Sequence, residues 1–198
     1  MEVKAFNKWS VSGITIEDPG VAPYINLEPK IVPKTGARYA RNRFHKSNVF
    51  IVERFMNKIS GANHKGKKHF ISAKSSSGKS HFHYNTMQEV LELVEQRTKE
   101  NPIKVLVKAI ENAAPREEVI SIEYGGARYP KALECAPQRR VDIALRLMTQ
   151  GARHKAFNNN KTIVETLTDE ITAAYRNSQD STAISRKLEL ERQADASR

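Results

Sequence analysis

The sequence predicts a mainly α protein, a single helical-bundle domain of about six helices with a protruding two-stranded β-hairpin and an extended N-terminal arm. Three observations predict this fold. Apolar residues recur at helical spacing through most of residues 47–198. One stretch, at about 118–135, instead alternates apolar and polar residues around a Gly-Gly pair. Residues 1–46 show no sustained period and contain several Gly and Pro residues, so they are assigned to the arm.

The first helix is expected to start after Ser47, a residue type that caps helix N-termini, and to end at Gly61. Residues 62–85 are rich in Lys, Ser, Gly and His and predict a long basic loop. Apolar residues spaced three and four apart then predict a second helix over about 86–99.

Asn101 and Pro102 are suited to cap and begin a third helix, because Pro lacks the N–H that the first helical turn leaves unsatisfied. This helix is apolar almost all round, so we expect it to be the most buried element, and Pro115 ends it. The hairpin follows, with a loop predicted to carry Arg128 and Tyr129 at a basic tip.

Pro137 opens a fourth helix, in which arginines seven residues apart share one face if the helix passes Gly151. A fifth helix is predicted over about 161–176. The last helix, from Thr182, is mostly polar and is expected at the surface, or ordered fully only with a partner. Its candidate apolar anchors are Ile184, Leu188 and Leu190.

Positive charge is concentrated in two segments of a chain whose formal net charge is +11. The first basic block, residues 29–88, has thirteen Lys and Arg and one acidic residue, Glu53. The second basic block, residues 125–161, has eight Lys and Arg against Glu134 and Asp142. Charge of one sign at this density repels itself unless an anion neutralises it, which indicates a surface for nucleic acid.

Several other classes of function are disfavoured by the composition. The sequence has neither a membrane-length apolar run nor a hydrophobic N-terminal leader, and its single cysteine, Cys135, fits a reducing cytoplasm. Binding to anionic lipid is a weak alternative, since the basic stretches are rich in Gly, Asn, Ser and His rather than forming an amphipathic helix.

No catalytic or cofactor site is apparent in the sequence. The segment KSSSGKS resembles the end of a phosphate-binding loop, but Ala73 stands where its first Gly is needed and no buried strand precedes it. His81 and His83, with His64 and His69, match no standard zinc spacing. We therefore predict no enzyme activity, no cofactor and no metal, and we expect Cys135 to be buried rather than nucleophilic.

Long ordered motifs along the whole chain resemble the universal small-subunit ribosomal protein seven family, in its archaeal and eukaryotic branch and most like the archaeal side. They include KWS at 8–10, GARYA at 36–40, IVERFMN at 51–57 and ENPIKVLVKAIENAAPRE at 100–117. They continue with YGGARYP at 124–130, APQRRVDIAL at 136–145, GARHKAFNNNKTIVETLTDEI at 151–171 and RKLELERQADASR at 186–198. The serine-rich tract within 62–85 departs from what we expect of the family.

The resemblance implies a structural constituent of the small ribosomal subunit, located in cytoplasmic ribosomes, that binds the 3′ major (head) domain of the ribosomal RNA and nucleates head assembly. The ribbon is expected near the tRNA exit site and the mRNA exit path, and the expected protein neighbours are those numbered nine and eleven of the small subunit. Carried onto this sequence, the RNA-binding residues are Lys34, Arg38, Arg41, Arg43, Lys46, Lys65, Lys67, Lys68, Arg128, Tyr129, Lys131, Arg139, Arg140, Arg146, Arg153, Lys155 and Lys161.

Two rival functions remain open from the residues alone. A helical body with a basic ribbon also suits a sequence-independent architectural DNA-binding protein, although such ribbons place an apolar wedge at the tip and this one offers Tyr129-Pro130. An RNA-processing enzyme is the second rival, and the sequence shows no acid–base pair or metal cluster for it.

Overall fold

The computed structural model describes residues 3–36, 38–65, 68–69 and 77–198, and for residues 64, 65, 68 and 69 it describes the backbone only. These residues contain six α-helices and two small antiparallel ribbons. The helices are α1 (Ile51–Ser60), α2 (Ser80–Thr98), α3 (Pro102–Ala113), α4 (Pro137–Ala156), α5 (Ile163–Tyr175) and α6 (Thr182–Ala196). The strands are β1 (His64–Lys65), β2 (Lys68–His69), β3 (Glu117–Tyr124) and β4 (Ala127–Glu134). The mainly α fold with a β-hairpin is thereby confirmed.

Helix α3 lies at the centre of the bundle, as its apolar sequence predicts. Ile103, Leu106 and Ile110 are fully buried, and the side chain of Asn101 accepts a hydrogen bond from the Ile103 amide at 3.0 Å. Helix α5 packs against α2, α3 and α4, and its own start is fixed by a capping box between Thr162 and Glu165. The core therefore forms between helices that are each defined by local signals.

The described residues of the segment before α1 (3–36 and 38–50) contain no α-helix or β-strand, only three 3₁₀ turns and isolated bridges, yet the first half of this segment is part of the core. Ala5, Phe6 and Trp9 are buried, and the Trp9 indole donates a 2.9 Å hydrogen bond to Glu95 of α2. The ring of Phe6 stacks on Tyr84 with centroids 5.0 Å apart. Burial of this aromatic cluster fixes the start of the chain against the bundle.

The first two helices differ from their predicted bounds. Helix α1 begins at Ile51 with Phe50 as its N-cap residue, and Ser47 lies in a 3₁₀ turn instead of capping it, so that prediction was wrong. Helix α2 begins at Ser80, so the last six residues of the predicted 62–85 loop are helical. These six residues, SHFHYN, have no helical apolar period, and the buried one among them is the polar His83, so the sequence carries no helix signal here.

Helix α6 is a continuous helix packed against α4 and the base of the hairpin. Ala183, Ile184 and Ala194 are its buried residues, so Ile184 is an anchor as expected. Leu188 is 43% exposed and does not anchor the helix. Ala183 and Ala194 take that role, because small side chains let α6 approach its neighbours closely, and their size gave no apolar signal in the sequence.

Candidate nucleic-acid interface

The hairpin turn consists of Gly125 and Gly126, whose φ angles are +58° and +82°. Positive φ at both central residues defines the primed turn that suits the twist of a two-residue hairpin, and Gly adopts it without strain. Because Glu123 pairs with Arg128 and Ile122 with Tyr129, both Arg128 and Tyr129 lie in strand β4. The prediction that a loop carries these two residues was therefore wrong.

One face of the hairpin is apolar and exposed. Directly paired residues of an antiparallel ribbon share a face, so the Ile122–Tyr129 and Tyr124–Ala127 pairs project on the same side. Tyr124 is 81% exposed and Tyr129 is 58% exposed. The predicted basic tip is weakly charged, since Arg128 lies 3.6 Å from the carboxylate of Glu123. The hairpin thus presents aromatic rings rather than a dense positive field.

The base of the hairpin is tied to helices α4 and α6 through ion pairs. Arg139 donates hydrogen bonds to both carboxylate oxygens of Glu118, at 2.7 Å from Nε and 2.7 Å from Nη2. Glu117 pairs with Arg198 at the end of the chain. These contacts hold the ribbon at a defined angle to the helices.

Cys135 closes the base of the hairpin, where its amide donates to the Arg116 carbonyl at 2.9 Å. Burial raises the pKa of its thiol to about 11, and the nearby Glu118 carboxylate acts in the same direction. The thiol is therefore neutral near pH 7, as expected of a buried cysteine without nucleophilic character.

Four cations of the arm, Lys34, Arg38, Arg41 and Arg43, are exposed. The chain next to Lys34 is held by Thr35, whose amide and hydroxyl donate to the buried carboxylate of Glu53 at 2.8 and 2.6 Å. Phe44 is 61% exposed with Arg43 at 5.5 Å from its ring, so it does not anchor the arm in the core. The arm therefore presents a cluster of cations beside an accessible ring, an arrangement suited to nucleic acid.

Helix α4 continues past Gly151, and the Arg stripe, defined as Arg139, Arg146 and Arg153, lies along one side of it. Arg146 is exposed, and among the described residues it has no ion pair. Arg153 is partly buried and donates from Nε to the Asn63 side chain at 2.6 Å. The stripe thus mixes one open cation with two that also hold the fold together.

Arg140 and Lys155, the cations flanking the stripe, make internal contacts. Arg140 is 8% exposed, donates to the Pro115 carbonyl at 3.0 Å and pairs with Asp18 at 2.6 Å. Lys155 pairs at 3.0 Å with Glu170, a fully buried carboxylate. Both side chains offset buried or partly buried acids, but Arg140 is buried whereas Lys155 stays exposed at the surface. Spacing along a helix could not show this, because the partners lie on other elements.

The other predicted RNA-binding lysines lie on β4, just before α5, and in the segment that contains β1 and β2. Lys131 is exposed on β4, and Lys161 is exposed with its ammonium 3.4 Å from Asp169. Lys65 and Lys68 are paired in the ribbon of β1 and β2, and Lys67 lies outside the described residues.

The two basic blocks meet around one carboxylate, a relationship that the sequence did not indicate. Asp142 of α4 pairs with Lys46 of the arm and, at 3.2 Å, with Arg54 of α1. Burial alone would raise the pKa of Asp142, but the hydrogen bond from Lys46 and the charge of Arg54 hold it below its ordinary value.

Lys58 of α1 belongs to the same cluster. Desolvation lowers the pKa of its ammonium, and the charges of Lys46, Arg146 and Arg54 lower it further, partly offset by Asp142. Lys46, Arg54 and Lys58 therefore act on a single acid, Asp142, and the charge of Arg146 acts on Lys58 beside them. We call this group the junction cluster (Lys46, Arg54, Lys58, Arg146 and Asp142). Its excess positive charge favours an anion at this point of the surface.

Two further properties of the described residues bear on function. They contain no group of three or more His, Cys, Asp or Glu side chains that could hold a metal ion. None of the described helices has both the length and the apolar character that crossing a membrane requires.

The fold and charge distribution define a mainly α protein with a protruding two-stranded hairpin and a cationic surface where the arm, α1 and α4 meet. A sequence profile described as ribosomal protein S7p/S5e matches residues 22–198. The chain belongs to this ribosomal protein family.

Several relatives carry the name small ribosomal subunit protein uS7. The protein of Nanoarchaeum equitans is 48% identical over 198 residues, which are 100% of both chains. That of Archaeoglobus fulgidus is 44% identical, covering 100% of this chain and 96% of its own. That of Methanothrix thermoacetophila is 43% identical, covering 99% of this chain and 100% of its own. The archaeal resemblance found in the sequence motifs is confirmed.

Proposed function

We propose that this protein is a structural constituent of the small ribosomal subunit that binds the 3′ major domain of the ribosomal RNA and nucleates assembly of the subunit head. The observation that carries the proposal is the junction cluster, where both basic blocks form one surface around Asp142. Membership of the ribosomal protein S7p/S5e family supports it. The role is structural and the location is the ribosome in the cytoplasm.

Binding on this surface depends on shape and charge. The exposed arm cations and Arg146 lie on different elements, so they contact phosphates of more than one RNA strand. Neutralising those phosphates removes the repulsion that keeps a folded RNA junction open. A-form grooves offer side chains little base sequence to distinguish, so the arrangement of the cations provides the specificity.

The hairpin contributes by a different kind of contact. Its apolar face, with Tyr124 and Tyr129, suits stacking or packing more than neutralisation of phosphates. We place it near the tRNA exit site and the mRNA exit path, where an extending ribbon reaches beyond the rRNA that the helices hold. Neighbouring small-subunit proteins, including those numbered nine and eleven, complete the set of partners.

The decisive experiment is a salt-dependent titration of the protein against three targets. These are the 3′ major-domain fragment of the small-subunit rRNA, an unrelated folded RNA of equal length and a DNA duplex. We expect about a hundredfold preference for the first that persists at about 200 mM salt, because non-specific phosphate binding weakens steeply there. Equal binding to all three that weakens in parallel would contradict the proposal and favour an architectural nucleic-acid binder.

A matched pair of variants tests the surface itself. Arg146→Gln removes an exposed cation of the junction cluster, and Arg176→Gln removes an exposed cation at the end of α5. We expect the first to reduce the salt slope of rRNA binding by about one and the second to leave it unchanged. Equal salt slopes for the two variants would show that the RNA interface does not include this part of α4.

The variant Lys155→Gln tests whether Lys155 stabilises the fold or contacts RNA. Because Lys155 is the ion-pair partner of the buried Glu170, we expect this variant to lose stability, by about 3 kcal/mol in urea unfolding. Its salt slope for rRNA should equal that of the wild type. Unchanged stability together with a lowered slope would show that Lys155 contacts phosphate instead.

A further inference from the structure

A groove of about 730 Å³ lies between α4 and α6, beside the base of the hairpin. Helix α4 lines it from Arg139 to His154, and α6 from Thr182 to Gln193. The volume lies within the range of pockets that bury small organic ligands.

The groove has an apolar floor. Ile143 and Leu147 of α4 and Leu190 of α6 line it, and the two leucines are half-buried. At Gly151 the helices touch directly, since a Cβ there would lie 2.6 Å from that of Thr182. The two helices are close together at Gly151, and larger side chains separate them towards the hairpin. The groove is the space between them there.

The rim carries cations whose charge is only partly neutralised. Arg139 is paired with Glu118 and Arg186 with Glu189, so each acid on the rim already has a partner. Arg146, which lines the same groove, has no ion pair among the described residues. The net charge at the rim therefore favours an anionic occupant.

The walls also carry groups suited to the edge of a nucleobase. Gln150 and Gln193 line the groove, and a side-chain amide carries both donor and acceptor atoms; the amide nitrogen of Gln193 also donates to Glu189 at 3.4 Å. An unstacked base needs an apolar surface for its face and such groups for its edge. An apolar peptide segment would use the floor but would leave Arg146 without an anion.

We propose that this groove accepts an unstacked nucleotide of the bound RNA, with the base against Leu147 and Leu190 and its phosphate at Arg146. The inference rests on the proposed function, because the nucleotide comes from the RNA that the protein is proposed to bind. Arg146 belongs to both the junction cluster and the groove, so one RNA can reach both. It adds a contact in which burial of a base provides the affinity. Salt weakens contacts with phosphate but has little effect on such burial.

A pair of leucines on one helix provides the test. Leu190→Gln alters the floor, while Leu188→Gln makes the same change at an exposed position that does not line the groove. Both variants and the wild type are titrated with the 3′ major-domain fragment over a range of salt, and circular dichroism checks that all three are equally folded. We expect Leu190→Gln to lose about tenfold in affinity with an unchanged salt slope, and Leu188→Gln to stay within about twofold.

A second measurement keeps the proposal falsifiable if Leu190→Gln unfolds. Wild-type protein is irradiated with the fragment carrying 4-thiouridine, and crosslinked peptides are identified by mass spectrometry. Crosslinks to residues 143–150 or 186–193 support a base in the groove. Crosslinks confined to the arm and the hairpin overturn it.

Failure of the inference differs visibly from failure of the proposed function. If the wild type shows no preference for the fragment, the proposed function fails and this proposal fails with it. If the wild type binds specifically and Leu190→Gln binds equally well, only the groove assignment is overturned. Equal RNA affinity combined with poor incorporation of Leu190→Gln into subunits would assign the groove to a neighbouring protein.

Discussion

Arg139 and Glu118 form a two-point ion pair in which Nε and Nη2 of the guanidinium each lie 2.7 Å from a carboxylate oxygen. The pair joins the first turn of α4 to the base of β3. A two-stranded ribbon has little stability of its own in water, so its orientation depends on such attachments. Arg139 therefore belongs to the Arg stripe and also holds the hairpin in its orientation.

We expect a double-mutant cycle of Glu118→Gln and Arg139→Gln to give a coupling energy of about 1 kcal/mol in urea unfolding. The hydrogen bond from Arg139 holds the pKa of Glu118 below its ordinary value, despite the opposing effect of burial. The contribution of the pair is therefore present above about pH 4.3 and is lost as the pH falls through the folded-state pKa. A coupling energy of zero near neutral pH would show that the hairpin is held by its other contacts.

The junction cluster gives a second prediction through Asp142. Asp142→Asn leaves Lys46, Arg54 and Lys58 without their shared acid, and Arg54 is buried. We expect a loss of about 2–3 kcal/mol in the free energy of unfolding, measured by urea denaturation at low salt. The matched control is Asp169→Asn, whose partners Arg97 and Lys161 are exposed, with an expected loss below about 1 kcal/mol.

Acid should affect the wild type and Asp142→Asn differently. Because the pKa of Asp142 is lowered in the folded state, its stabilisation is present above about pH 3.9 and is lost as the pH falls through the folded-state value. The difference in stability between the two proteins should therefore shrink below about pH 4. A difference that is constant down to pH 2 would contradict the role given to this carboxylate.

A further prediction concerns Gly151, where α4 contacts α6. A Cβ at this position would lie 2.6 Å from Cβ of Thr182, so Gly151→Ala must push α6 away. We expect a loss of about 1–3 kcal/mol in the free energy of unfolding, partly restored by Thr182→Gly. Gly61→Ala is the control, because its nearest neighbour would be the Lys58 carbonyl oxygen at 3.8 Å and we expect little change. A loss at Gly151 as small as the change at Gly61 would show that α6 moves aside at no cost and would contradict this prediction.

The sequence by itself determined the helical class, the hairpin and the family. Local chemistry was sufficient for α3, where Asn101 and Pro102 fix the start of an apolar helix, and for the turn at Gly125-Gly126. These signals act over a few neighbouring residues, so they can be recognised without any tertiary contact.

Only the tertiary structure decided which cations are open to a ligand. Arg140 and Arg146 look alike in the sequence, yet one is buried against Asp18 and the other is exposed at the junction cluster. The partners of Lys46, Arg140 and Lys155 are distant along the chain or on other elements. The free energy of a buried charge depends on which groups surround it in space, and helical spacing gives no information about a neighbouring element.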